Sequence, residues 1–215
     1  NIFFEVAEEW NVPIRVVNDG DVTALAGAMS LNDGCVLGLA MGTSAAAGYA
    51  DTNSRITSWI SELAFVPIDF SENAAQDEWS GDIGCAVNYF SQQAVSRLIK
   101  PAGLKIDQAL GKPEKLILVQ EAMEAGDDKA AAIYRTIGTY LGYAIPQFAR
   151  FYDIRHMLLL GRVLTGKGGE LIISKAEEVL RDEFPELGKK ISLSTPDEKM
   201  KRHGQAIAAA SLPEI

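Results

Sequence analysis

The chain has 215 residues, of which 47% are hydrophobic and 23% charged, enough for a buried core and too apolar for a disordered segment. Its 29 acidic residues against 20 basic ones leave a formal charge of −9, which repels nucleic-acid phosphate and argues against nucleic-acid binding through this segment. No stretch of about 18 uninterrupted apolar residues is present to span a membrane, and two cysteines, Cys35 and Cys85, are too few for a disulfide framework and point to a reducing, cytoplasmic setting.

The chain opens at Asn1, without an initiator Met, in residues 2–10 that read as the end of a helix, so a fragment of a longer protein is expected. After the turn Asn11-Val12-Pro13, the β-branched residues 14–17 predict a strand that stops at Asn18-Asp19-Gly20. Residues 21–31 are helix formers, with Asp19 or Asp21 as the expected N-cap. Beyond Asn32-Asp33-Gly34, residues 35–41 predict a buried strand, Gly42-Thr43-Ser44 a tight turn, and residues 45–50 a returning strand, which makes an antiparallel hairpin.

Residues 63–70 predict a further strand in an otherwise weakly periodic stretch, and residues 83–99 a helix through Val87, Phe90, Ala94, Val95 and Leu98. A helical insert is expected over residues 106–125. Gly126-Asp127 then caps a long helix whose apolar stripe is Ile133, Ile137, Leu141, Ile145, Phe148 and Tyr152. Gly138 and Gly142 on it allow close backbone approach, and Pro146 is expected to kink it. A strand over 156–160, a loop over 166–169, a helix over 170–184, a short strand over 191–193 and a helix over 199–212 complete the chain. Residues 1–215 therefore read as one α/β domain, with a mixed sheet and helices on both faces.

Three places can carry chemistry. Asn18-Asp19 stands at a strand-to-helix junction, where open α/β sheets bind ligands. There an Asp can accept a proton from a hydroxyl, and an Asn offers a donor and an acceptor to a polyol, although alone the pair reads as a plain helix cap. The turn Gly42-Thr43-Ser44 presents backbone N–H groups and hydroxyls suited to phosphate, or is simply a hairpin turn. Gly161-Arg162 ends a strand ahead of Thr165-Gly166-Lys167-Gly168-Gly169, which lacks the spacing of a Walker loop. His156 and His203 are the only histidines and have no nucleophile motif beside them, so a histidine-based hydrolase is not expected.

In this order the three motifs resemble the carboxyl-terminal lobe of the repressor–ORF–kinase (ROK) family, sugar kinases and sugar-sensing repressors of the actin–hexokinase superfamily with a ribonuclease-H-like fold. The resemblance is strongest over residues 12–50, 60–98 and 156–212. It implies that Asn18 binds sugar and Asp19 is the catalytic base, that Gly42, Thr43 and Ser44 form a second phosphate loop, that Glu62 within Ile60-Ser61-Glu62-Leu63-Ala64-Phe65 contacts the sugar, and that Gly161 abuts the adenosine. Arg202-His203-Gly204-Gln205 and the alanines after it look like the family's last helix. The implied substrates and cofactors are ATP with Mg²⁺ and a hexose or amino sugar. The resemblance further implies self-association into a homodimer, and a first phosphate loop in an amino-terminal lobe outside these residues.

The departures are specific. Ser44, Ala46 and Ala47 stand where the family has glycine, which strains the loop by roughly 1 kcal/mol or more at any position needing positive φ. Phe65 replaces a sugar-contacting His. Of the family's zinc-binding Cys-x-Cys-Gly-x-x-Gly-Cys, the segment 78–85 keeps both glycines and Cys85 alone, so no zinc is expected. The expected function is an ATP-dependent sugar kinase when complete; the alternative is a non-catalytic sugar-sensing domain of the same fold.

Overall fold

The apolar run after Gly34 becomes β1 (Val36–Met41) and returns as β2 (Ala45–Ala50) in a computed structural model that describes residues 1–57, 59, 61–196 and 203–212. Met41 pairs with Ala45 across the hairpin, so the turn is the expected Gly42-Thr43-Ser44. β3 (His156–Leu160) lies parallel to β1, and β4 (Ser192–Ser194) parallel to β3, in the order β2-β1-β3-β4. This is the expected mixed sheet, and its alternating side chains are buried on both faces.

One face carries the main core. Leu37, Leu39, Met41, Met157 and Leu159 pack there with α3 (Gln92–Ala102), α4 (Lys112–Glu124), α5 (Asp128–Phe148) and α6 (Gly166–Glu183). The predicted stripe of α5 is buried from Ile133 to Phe148, where the helix ends; Tyr152, expected on it, is buried beyond its end, and Gly138 and Gly142 let α5 approach α6 at Ile172 and Val179. On the other face Val36, Ala50 and Leu158 meet Ala24 and Ala28 of α2 (Asp19–Leu31). The far side of α2 is covered in turn by α8 (Gln205–Ser211), through Ala208 and Leu212 against Val22, Leu25 and Ala26. Sandwiched between sheet and helix, α2 needs small apolar residues all round, which is why it shows no clear amphipathic stripe.

Several expectations are corrected. Residues 2–10 do form a helix, α1 (Ile2–Trp10), but residues 14–17 form no strand. Residues 12–17 make no backbone hydrogen bond among the described residues, and Val16 stays 65% exposed. A β-branched run makes a strand only where a neighbouring strand completes its ladder. Residues 63–70 hold only the 3₁₀ turn Leu63–Phe65 and an isolated bridge from Pro67 to Cys85. The helix expected over 83–99 splits into the 3₁₀ turn Ala86–Asn88 and α3, because Ser91 caps α3 by accepting from the Gln93 N–H at 3.1 Å. Residues 166–169 belong to the first turn of α6 rather than to a loop. Pro146 lies in the last turn of α5, which runs through it to Phe148. A short helix α7 (Pro185–Lys190), absent from the sequence expectation, starts on its proline. Of the expected closing helix, residues 199–202 lie outside the described residues.

Candidate functional site

The two parallel strands β1 and β3 end side by side, with Ala40 opposite Leu160, and the candidate residues gather from that edge outward. Asn18, not Asp19 or Asp21, is the N-cap of α2; its backbone is extended and its Oδ1 accepts the Gly20 N–H at 2.8 Å. Asp19 Oδ1 accepts the same N–H at 2.9 Å. Both side chains are exposed while Gly20 is buried, so the helix start presents an amide and a carboxylate outward from a fixed backbone.

Glycine sets that backbone. A Cβ on Gly20 would lie 2.2 Å from the carbonyl oxygen of Ala47, and one on Gly48 would lie 2.1 Å from that of Gly20. The start of α2 is therefore pressed against β2 shortly after the Gly42-Thr43-Ser44 turn. In that turn the Gly42 N–H donates to the Ser44 carbonyl at 2.9 Å, and the Gly42 carbonyl accepts from Gln92 N at the start of α3, also at 2.9 Å. Thr43 and Ser44 are exposed. None of Ser44, Ala46 and Ala47 has a positive φ, so replacing the family's glycines there introduces no backbone strain.

Gly161 adopts φ 107°, and a Cβ there would sit 2.5 Å from the Met41 carbonyl oxygen. It thus lies directly on the residue that precedes the phosphate-type turn. Beside it opens a cleft of about 440 Å³, whose walls include Thr23, Leu160, Gly161, Arg162, Thr195 and Gln205. Lys167 does not enter the cleft chemistry: its N–H and Nζ bond to Glu124 of α4, at 2.9 and 3.0 Å.

Glu62 is exposed just before the turn Leu63–Phe65, and its charge reaches Asp21 in the first turn of α2. Asp21 is half-buried, and among the described residues its Oδ1 has no hydrogen-bond partner. Burial first, and then the nearby Glu62 carboxylate, push its carboxyl above the usual range. Phe65, in the place of the expected His, packs on Trp79 with ring centroids 5.5 Å apart, beside an apolar cluster of Ala45, Ala64, Cys85 and Val87. Cys85 is buried at the start of the 3₁₀ turn Ala86–Asn88, and burial raises its thiol pKa. Asp77 organises the loop ahead of Cys85, accepting from Trp79 N at 3.1 Å and Ser80 N at 2.8 Å. Among the described residues no three His, Cys, Asp or Glu side chains converge as a metal site, and no helix is long and apolar enough to cross a membrane.

The structure thus brings Asn18, Asp19, the 42–44 turn and Gly161 to one edge, with Glu62 reaching it through Asp21. No motif singles out Thr23 or Gln205 as cleft residues. Their signal is tertiary, a hydrogen bond between side chains 182 residues apart.

Solved structures share this arrangement of elements. A ROK family transcriptional regulator, a homologue of the E. coli MLC protein, matches with TM-score 0.77 and 19% identity, over 99% of this chain and 56% of the regulator. The chain has the fold of ROK proteins. A ROK hexokinase from Thermus thermophilus matches with TM-score 0.74 and 18% identity, over 99% of this chain and 70% of the hexokinase. A ROK family glucokinase from Streptomyces griseus, solved with glucose and AMPPNP, matches with TM-score 0.71 and 17% identity, over 98% of this chain and 71% of the glucokinase. The chain therefore spans just over half the length of the ROK regulator and about 70% of the ROK kinases. No family model matches the sequence, and no curated protein matches it in sequence.

Proposed function

We propose that this chain is the larger lobe of a ROK-like sugar kinase that moves a phosphoryl group from ATP to a hydroxyl of a hexose or amino sugar. The observation that carries the reading is the meeting of Asn18-Asp19, the 42–44 turn and Gly161 at the carboxyl edge of β1 and β3. The ATP analogue and glucose in the Streptomyces griseus relative support the substrate classes. In this reading Asn18 and Glu62 hold sugar hydroxyls, and Asp19 takes the proton from the attacking one. In the turn that Gly42 opens, the N–H groups and hydroxyls of Thr43 and Ser44 cradle phosphate, and the adenosine lies in the cleft against Gly161. Phosphoryl transfer asks a protein mainly for positioning and charge stabilisation, which an edge built from fixed backbone provides. Magnesium enters on the nucleotide phosphates, as that ion commonly does. The first phosphate loop is supplied by chain outside these residues, so residues 1–215 alone are expected to transfer negligible phosphate.

The second reading, a sugar-sensing domain without catalysis, is favoured by Phe65, which removes a polar sugar contact, and by the likeness to the ROK regulator. Calorimetry of the full protein with MgATP and with a panel of sugars separates the two. The kinase reading expects nucleotide binding together with ATP-dependent sugar phosphorylation. Sugar binding with no nucleotide heat would decide for the sensor.

A further inference from the structure

Thr23 of α2 and Gln205 of α8 both line the cleft beside Gly161, side by side where the two helices pack together. The Thr23 side chain is buried, and its hydroxyl donates to the backbone carbonyl of Asp19 at 2.9 Å. Gln205 Nε2 donates to the Thr23 oxygen at 2.6 Å. A hydroxyl has a single hydrogen, so the order is determined: Gln205 amide to Thr23 hydroxyl to Asp19 carbonyl. A threonine bonding back four residues is ordinary in a helix. An amide donated to that hydroxyl from a second helix that lines the same cleft is not, and it adds a polar link to the apolar α2–α8 seam.

The Asp19 carboxylate has little else to aim it. Among the described residues its hydrogen-bond partner is the Gly20 N–H, which it shares with Asn18. Its direction therefore follows the backbone of residues 18–20, and the Thr23 bond holds the middle of that segment.

We infer that Thr23 and Gln205 are positioning residues which couple a nucleotide in the cleft to the aim of the Asp19 carboxylate. The inference rests on the kinase reading above for the role of Asp19. A nucleotide lying against Gln205 alters the amide offered to Thr23, and one hydroxyl carries the change to the Asp19 carbonyl. Substrate occupancy on one side of α2 is thereby felt at the base on its first turn.

The test uses the full protein with Thr23→Val, which keeps shape and loses the hydroxyl, and Thr23→Ser, which keeps the hydroxyl. Thr23→Val is expected to lower kcat for sugar phosphorylation by about tenfold or more, with KM for ATP within about twofold, and Thr23→Ser to return most of the loss. The backbone amide resonance of Gly20 in ¹⁵N-labelled protein reads the turn directly. MgAMPPNP is expected to shift it in the parent and in Thr23→Ser but not in Thr23→Val. A parental kcat in folded Thr23→Val, or an equal Gly20 shift in parent and Thr23→Val, overturns the coupling. If the parent phosphorylates no sugar, the kinase reading fails on the assay while the Gly20 resonance still decides the coupling. If MgAMPPNP leaves Gly20 unmoved in the parent, the coupling fails whatever the turnover.

Discussion

The two ends of the sheet are built on opposite plans. At the carboxyl edge of β1 and β3, Asn18, Asp19, Thr43, Ser44 and Gly161 are exposed, and glycines press the backbones together. At the amino edge of the same strands the polar groups are tied to one another. Asp33 accepts from Arg155 at 2.8 Å and from His156 at 2.9 Å, and the second ring nitrogen of His156 meets Ser192 Oγ at 3.0 Å. Asp153 takes Lys190 at 2.6 Å on its carboxylate and the Tyr49 hydroxyl at 2.9 Å on its carbonyl. Side-chain pairing between elements staples the amino edge, while the carboxyl edge gets its shape from backbone contact and leaves the side chains of Asn18, Asp19, Thr43 and Ser44 exposed, those of Asn18 and Asp19 bonded only to the local Gly20 N–H among the described residues.

Substitutions sharpen this contrast, since stability should rest on backbone contact at the open edge and on side-chain pairing at the stapled one. The largest effect on stability is expected where backbone contact shapes the open edge. Gly48→Ala forces a Cβ against the Gly20 carbonyl and should cost more than about 3 kcal/mol in urea unfolding; parental stability would deny the close approach. Tyr49→Phe removes one hydroxyl bond at the stapled edge and should cost about 1 kcal/mol, with nucleotide affinity within about twofold of the parent. A change in affinity as large as the change in stability would erase the distinction between the edges.

Acid should loosen the stapled edge. The hydrogen bond from His156, with the Arg155 charge, holds the Asp33 carboxyl below the ordinary range, and Lys190 does the same for Asp153. A carboxyl depressed in the fold stabilises above its unfolded value of about 3.9, and this is lost as pH falls through the lower folded value. Thermal melts should therefore drop below about pH 4, and Asp33→Asn should flatten part of that drop; an unchanged profile would mean the pair contributes nothing. Asp21 has the opposite sign. Its raised carboxyl favours folding only below its folded value and opposes it at neutral pH, so Asp21→Asn should raise Tm at pH 7 by about 1–2 °C, the smallest effect.

Periodic segments of the sequence were readable because each meets a partner that its pattern implies. The hairpin of β1 and β2 and the stripe of α5 are of this kind. Residues 14–17 carry a strand pattern without a strand to pair with. The glycines of residues 166–169 look like a loop, yet Gly168 faces the Tyr134 ring and Gly169 the Leu164 carbonyl, so they serve packing at the start of a helix. At the candidate site, the spacing of Asn18-Asp19, the 42–44 turn and Gly161 was legible through its likeness to ROK proteins. The Gln205–Thr23 bond was not, since neither residue type nor local spacing signals a contact made only when α8 closes over α2.

The central claim is that Asp19 is the base at the open edge. Its direct test is ATP-dependent sugar phosphorylation by the full protein carrying Asp19→Asn, an isosteric change at an exposed helix start. Turnover should fall by at least about a hundredfold while melting temperature and nucleotide affinity stay at parental values. Undiminished turnover in Asp19→Asn would contradict the account.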